Sequence, residues 1–573
     1  MRDRRDVFTL EILSNALNSI AEEMFWTAIR TAKSSIFYET LDFSTAITRW
    51  DGDTVAQAVG IPLFIGVMDF AAKHMMREAE EIYGSLHPGD ILISNDPYKT
   101  GTHLNDVALA MPIFYKDRPG DLLGIAVAKG HINDIGGMNP GSWGPGSTEI
   151  FQEGLYIPVV KYYVRGERNT DVIRMIKANS RVPDYIFGDL EALAAALRLA
   201  YKRVNELAEK YGAETLREAM DHVINASEKL AKKRLQELPQ GSYIGEDFLD
   251  DSGETDEPLR VRVKVSIGDC KFVADFSDNP PAVRAPINTT YPATVAAVRI
   301  VYMAVVDPHL PYNNGLVKPL EVVAPKGTIF NAEKPYPVSV YWETLTYAAD
   351  LVWKALTPVL KDRLTAGHFL SVVAETIAGV DPRTNEYFVL VEPNPGGWGA
   401  GHDRDGENAL VSFADGETYA TSIEVAERRF PVIVDRYELN TEDGTGHGKY
   451  RGGFGIIKDY RLYSTEASFT TAINRARFPP WGIEGGCHGT TNYMVIIRQG
   501  KEYMRVRKIV NFKLEEGDIV SIRSGGGGGW GDPLDRDPVL VLWDVVNEYI
   551  TPETARKVYG VVVDPETRTI NWQ

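Results

Sequence analysis

Apolar residues recur at helical spacing over residues 8–34, where Leu10, Ile12, Leu13, Leu17, Ile20 and Met24 form one stripe and predict an amphipathic helix. A second apolar helix is predicted over about 62–77. Further on, Leu190, Leu193, Leu197, Tyr201 and Val204 mark a long helix with Asp189 as its expected N-cap. Gly212 has the position of a C-terminal stop, and another helix follows to about Leu235. The turn residues Pro239-Gln240-Gly241 close this helical pair and mark the expected boundary between a first domain, 1–238, and a second, 239–573.

Beyond that boundary the period changes to two. Val261, Val263, Val265 and Ile267 alternate with Arg260, Arg262 and Lys264, and Gly268-Asp269 turns the chain into a second strand at 270–276. Helical spacing returns near 293–306 and 347–360. The last 150 or so residues mix short strands with Gly-rich turns, including five consecutive glycines at Gly525–Gly529, expected to form a tight structural turn. The fold class expected is α+β in several layers. It has a helix-rich N-terminal part carrying an antiparallel hairpin and a strand-rich C-terminal part packed on it as one catalytic subunit.

Composition narrows the partners. Among 573 residues, 61 Lys+Arg against 79 Asp+Glu give a net charge of −18, which disfavours nucleic acid and anionic membrane surfaces. Two cysteines, Cys270 and Cys487, build neither a disulfide framework nor a Cys-rich metal site. The charged amino terminus lacks a signal-peptide core, and no apolar run reaches membrane-spanning length. The expected location is cytoplasmic.

One region concentrates candidate chemistry: N-D-P-Y-K-T-G-T-H-L-N-D from Asn95 and G-H-I-N-D-I-G-G from Gly130. Each contains His-x-x-Asp, as His103 with Asp106 and His131 with Asp134. Spacing alone is weak, since ten histidines give about one such match by chance. Strand patterns over 107–115 and 122–129, joined by K-D-R-P-G-D, supply the geometry. A hairpin centred on Pro119 sets Asp106 opposite His131 and His103 near Asp134. Two imidazoles and two carboxylates form a complete ligand set for Zn²⁺, Mn²⁺ or Fe²⁺. The bland alternative is a hairpin mouth where Asp caps turns and His donates to a carboxylate. Asp96, in a turn-prone Asn-Asp-Pro, is a candidate further ligand or general base, or simply an Asx turn. Glu149 and Glu153 follow a Gly/Pro loop and are candidates to reach a histidine, or to sit solvated at a helix start.

Other motifs carry less. G-T-G-H-G-K-Y from Gly444 is not a phosphate loop, because Asp443 replaces the first glycine and Tyr450 the required Ser/Thr. His402, Asp403 and Asp405 in G-G-W-G-A-G-H-D-R-D-G suggest a turn more than a cation site. No nucleophile elbow occurs.

The motifs at Asn95 and Gly130, with P-Y-N-N-G from Pro311, K-Y-R-G-G-F-G from Lys449 and the Gly-rich C-terminal run, jointly resemble the B-type chains of the hydantoinase/oxoprolinase family. That family includes N-methylhydantoinase, caprolactamase and subunits of acetone and acetophenone carboxylases. Two departures from its pattern occur: Thr100-Gly101 replaces a glycine pair, and Ile132 stands where a second histidine is common. The resemblance implies a hetero-oligomer in which an A-type subunit carries ATP and Mg²⁺ and the B-type chain holds one divalent metal, Zn²⁺ or Mn²⁺. On this basis His103, Asp106, His131 and Asp134 are the expected ligands, with Asp96 and Glu149 as catalytic candidates. The activity expected is ATP-dependent hydrolysis of a cyclic amide (hydantoin, 5-oxoproline or lactam). Ketone carboxylation is the alternative enzyme, and a non-catalytic scaffold the alternative of another class.

Overall fold

A computed structural model describes residues 7–416, 418–564 and 567–570. Its α+β character agrees with the sequence pattern. Two compact units share the chain. The first comprises the residues up to Ile244, Val263–Ala349 and Ala414–Thr421; the second comprises Gly245–Arg262, Asp350–Phe413 and the residues from Ser422 on. The chain crosses between the units at 244/245 and four times more, so Val263–Ala349 and Ala414–Thr421 return to the first unit. Among the described residues no helix is long and apolar enough to cross a membrane.

The first unit is organised around a seven-stranded antiparallel sheet. Its strands are β1 (Phe43–Thr48), β2 (Thr54–Gln57), β3 (Ile91–Ser94), β4 (Asp106–Phe114), β5 (Leu122–His131), β6 (Val160–Val164) and β7 (Glu167–Arg168), in the order β2-β1-β5-β4-β3-β6-β7. The central hairpin β4–β5 has the register read from sequence, with Asp106 opposite His131 and Ala110 opposite Val127. Every residue of β4 is buried. One face packs on Met68, Ala71, Ala72, Met75 and Ala79 of the helix Met68–Tyr83. The helix Pro183–Tyr211 packs on the same two strands, and Val7–Thr31 packs on it and on β1. A sheet buried on both faces has no reason to alternate apolar and polar side chains, and β4 reads as a continuous apolar run.

Two expectations are corrected here. Asp189 does not cap a helix: Pro183–Tyr211 begins six residues earlier, with Pro183 at its first turn. The fully buried Asp189 carboxylate instead accepts Lys33 N at 2.8 Å and Ser34 N at 3.0 Å, fixing the chain just after the first helix. The apolar helix expected over 62–77 is broken into Pro62–Ile65 and Met68–Tyr83, separated by Gly66 and Val67.

In the second unit, a four-stranded and a five-stranded sheet share one core that includes Phe369, Ile377, Leu390, Ile456, Tyr460, Phe469, Met494, Ile496 and Ile522. Beside it, Gly525–Gly529 forms no tight turn. It is buried, and its successive residues bond to several neighbouring segments. Gly527 N donates to Gly453 O, Gly528 N to Gly367 O and Gly529 N to Cys487 O; the carbonyls of Gly525, Gly526, Gly527 and Gly528 accept from Gly397, Thr490, Gly446 and Ala400. A Cβ at Gly527 would lie 2.0 Å from Trp398 O, so this close approach of backbones demands glycine. The same bonding occupies Gly446 N, Lys449 N and Tyr450 N, so the segment that superficially resembles a phosphate loop has no free amides at these positions to offer an anion.

Candidate metal centre

Asp106 is the first residue of β4 and His131 the last of β5, so the hairpin register alone makes them neighbours. His103 joins them through the turn before β4. Gly101 (φ +84°) and Thr102 (φ 74°) adopt left-handed backbone there, and a Cβ on Gly101 would meet Val67 Cγ1 at 2.7 Å. Asp106 N donates to His103 O at 3.1 Å, closing the turn.

The result is a near-equilateral triangle of ligand atoms. His103 Nε2, His131 Nδ1 and Asp106 Oδ1 lie 3.1 Å from one another. Atoms sharing one cation at bonds near 2.1 Å, with angles between octahedral and tetrahedral, stand about 3.0–3.4 Å apart. The donor set therefore fits a single divalent cation. Protons alone fit it poorly, since the two imidazole nitrogens face each other as well as the carboxylate. His103 Nδ1 and His131 Nε2, on the far sides of the rings, are buried and have no hydrogen-bond partner among the described residues.

The surroundings are charged and dry. Burial alone would raise the Asp106 carboxyl, but the two imidazoles outweigh it and hold it well below the usual carboxylate range. Burial lowers His103 despite the pull of Asp106. For His131 burial is outweighed by Asp106 and Asp42, and its proton is held more tightly than usual. Asp42, whose carbonyl accepts His131 N at 3.0 Å, is pushed up to about 7 by burial, with His131 opposing. Asp415 is raised well above the usual range by burial and then by Asp42 and Glu343. Lys129, fully buried, donates from Nζ to Gly101 O at 3.2 Å and Asp106 O at 2.8 Å, tying together both ends of the turn that carries His103. Burial lowers its ammonium to about 8.

Aromatic rings complete one wall. The rings of Tyr341 and Trp342 lie 5.1 and 5.4 Å from that of His103, Tyr341 Oη donates to Asp106 Oδ2 at 3.3 Å, and Trp143 packs 5.5 Å from Trp342. Trp143 comes from the Gly/Pro loop and Trp342 from a segment two hundred residues later. Glu153 staples the two: its carboxyl accepts from Ser147 Oγ at 2.6 Å, from Val338 N at 3.0 Å and from Ser339 N at 2.9 Å, while Gly144 N donates to Ser339 Oγ at 3.2 Å.

Three of the four expected ligands thus come together, and the fourth does not. Asp134 accepts from Gly136 N, Gly141 N and Arg181 N and pairs with Arg181 Nη1 at 2.9 Å. Four donors, one of them a guanidinium, already saturate its oxygens and fix the loop that leads to Trp143. Asp96 caps the short helix Pro97–Thr100 by accepting Tyr98 N at 2.9 Å, the Asx arrangement of the sequence alternative. Glu149 precedes a 3₁₀ turn at Ile150–Gln152, and neither it nor Asp96 shares a hydrogen bond with the triad among the described residues. Glu153 is neither solvated nor aimed at a histidine; it is the staple. Asp42, Lys129, Tyr341, Trp342 and Asp415 escape a reading by spacing. Only Lys129, a lysine inside an otherwise apolar strand, leaves a local trace.

The Hydantoinase B/oxoprolinase family model matches residues 6–533. The chain is 32% identical over 575 residues to the B-type chain of a putative D-/L-hydantoinase from a Pseudomonas species, covering 97% of this chain and 95% of that one. It is also 32% identical over 578 residues to the beta chain of the caprolactamase from Pseudomonas jessenii, covering 98% and 96%. The crystal structure of the ATP-dependent caprolactamase from Pseudomonas jessenii superposes with a TM-score of 0.89 at 29% identity, covering 98% of both chains. With sequence motifs, fold and whole-length relatives in agreement, the chain belongs to the hydantoinase B/oxoprolinase family.

Proposed function

We propose that this chain is the B-type component of an ATP-dependent cyclic-amide hydrolase. It opens a hydantoin, 5-oxoproline or lactam ring that a partner A-type subunit, carrying ATP and Mg²⁺, activates by phosphorylation. The observation that carries the proposal is the 3.1 Å triangle of His103 Nε2, His131 Nδ1 and Asp106 Oδ1, whose donor chemistry suits Zn²⁺ or Mn²⁺. Relatives named as components of a hydantoinase and a caprolactamase favour ring opening over carboxylation.

When bound, such a cation supplies Lewis-acid polarisation of a carbonyl or a lowered pKa for water. The chain's own residues do the rest. Asp106 would share the cation with both imidazoles through Oδ1 and takes the Tyr341 hydroxyl on Oδ2. Burial first, and Asp106 second, keep the proton on the Tyr341 phenol. The rings of Tyr341, Trp342 and Trp143 exclude water from that side, which strengthens every electrostatic interaction within. Lys129 holds the ligand turn closed from behind. Asp134 and Glu153 shape the loops without meeting the cation.

The test is metal analysis of the purified chain together with turnover of the complex. About one divalent cation per chain is expected, lost in His131→Ala along with ATP-dependent lactam or hydantoin opening. A metal-free chain whose His131→Ala complex works normally would leave only a scaffold. Labelled bicarbonate entering a stable product from a ketone would defeat the hydrolase.

A further inference from the structure

The core of the second unit encloses a charge imbalance. In its four-stranded sheet, strand Glu375–Asp381 pairs antiparallel with Glu386–Glu392, and Glu375 lies directly opposite Glu392. Both side chains are buried, and the five-stranded sheet sends in one buried cation, Lys458, from strand Ile456–Leu462. Lys458 Nζ pairs with Glu392 Oε2 at 2.7 Å, and Tyr460 Oη donates to the same oxygen at 2.5 Å.

The other strands packed on this group add no charge to it. Tyr437, from Val432–Leu439, sets its ring 4.9 Å from Lys458 Nζ, and Thr471, opposite Glu375 on Ala467–Ala472, sends its hydroxyl to Ala374 O at 2.9 Å. Charged neighbours on the same strands pair elsewhere: Asp381 with Arg383, Arg461 with Asp435, and Arg436 and Arg523 with Glu442. Asp459 alternates to the opposite face of its strand from Lys458 and Tyr460. Two carboxylates against one ammonium thus leave one negative charge in a dry core, where an uncompensated ion is strongly destabilising.

A proton removes that charge, and the hydrogen bonding has room for it. Asn394 Nδ2 donates to Glu375 Oε2 at 2.5 Å and to Val373 O at 2.9 Å. Glu375 Oε1 and Asn394 Oδ1 are both buried and have no hydrogen-bond partner among the described residues. Two acceptors cannot satisfy each other, whereas a carboxylic acid and a primary amide can exchange an O–H···O and an N–H···O bond. The N–H···O half is present, and a proton on Glu375 Oε1 is the donor that the other half lacks. Burial first, and Glu392 second, push the Glu375 carboxyl well above its usual range.

We propose that this proton is a clasp: Glu375 is a neutral acid whose proton lets the two sheets close over Lys458, and its loss at alkaline pH loosens them. The inference concerns the fold of the second unit and stands apart from the hydrolase reading. Because the folded chain binds the proton more tightly than the unfolded chain, stability from Glu375 is complete below 4.5 and declines as pH rises toward the folded value.

Amide exchange of the full chain, read as protection factors in Glu375–Asp381 and Ile456–Leu462 from about pH 5 to about pH 8, tests the clasp. Glutamine keeps the acceptor for Asn394 Nδ2 and offers its own N–H to Asn394 Oδ1 without titrating. Protection in Glu375→Gln should exceed wild type by a ratio that widens by up to about tenfold per pH unit, the linkage of a single proton. Strands β4 and β5 of the first unit, followed in the same sample, should show no widening. The infrared difference between wild type and Glu375→Gln at about pH 7 should contain the carbonyl band of a neutral carboxylic acid. A ratio constant with pH, equal widening in β4 and β5, or a carboxylate band in the infrared difference would each overturn the proposal. So would a Glu375→Gln chain that fails to fold or is less protected at every pH, because a group already neutral should tolerate amidation.

Discussion

Glu153 sets burial against hydrogen bonding, and its replacement by glutamine measures which prevails. Its carboxyl receives Ser147 Oγ at 2.6 Å, Val338 N at 3.0 and 3.1 Å on its two oxygens, and Ser339 N at 2.9 Å. Donors in that number favour the charged form. Burial opposes them and wins, pushing the carboxyl up from 4.5 to about 7. The folded chain therefore binds this proton more tightly than the unfolded chain, and the unfolded chain releases it first as pH rises. Stability from the group is complete below pH 4.5, declines through the interval to about 7, and is lost above it. The gap between the two values is worth about 3 kcal/mol. Glutamine keeps an acceptor oxygen without the charge and so resembles the protonated carboxyl. In thermal melts, Glu153→Gln should match wild type near pH 5 and exceed it by up to about 3 kcal/mol near pH 8. Amide exchange at Val338 and Ser339 reports the same comparison locally, independent of which unit melts first. A variant offset identical at both pH values would refute the reasoning, since it would mean that the donors hold Glu153 charged throughout.

Three further outcomes follow from the same structure. Asp134→Asn should keep its full complement of metal while losing about 2–4 kcal/mol of stability through the unpaired Arg181 and uncapped amides, checked by metal analysis and melts on one sample. Lys129→Met should strand the buried Gly101 and Asp106 carbonyls, costing about 1–3 kcal/mol and weakening metal retention in competition with a chelator, whereas a purely structural loss would leave retention untouched. Gly527→Ala, whose Cβ would lie 2.0 Å from Trp398 O, should abolish soluble folded protein, while Gly500→Ala, with φ +71° and nothing within 4 Å, should cost only about 1 kcal/mol in a melt.

Local sequence carries what depends on nearest neighbours and short period. The first helix, the long helical pair to Glu237 and the β4–β5 register are all legible, because the hydrophobic period and the turn between two strands specify them without outside help. Asp106 opposite His131 follows from that register, and His103 from a turn three residues long. Asp134 marks where such reasoning ends: hairpin symmetry puts it at the right height, but Arg181, far along the chain, claims its oxygens. The five glycines likewise resemble a turn until the neighbouring segments are present, because a turn and a closely packed backbone run use the same residue for different reasons. Trp143, Tyr341, Trp342, Asp42 and Asp415 reach the centre from segments up to hundreds of residues apart, and no period or spacing in the chain encodes those meetings. Short-range pattern places two histidine-bearing turns at one end of a single hairpin. Tertiary packing decided which carboxylate stays free to face the imidazoles and which rings shut out water, since both are settled by partners that only the folded chain brings within bonding distance.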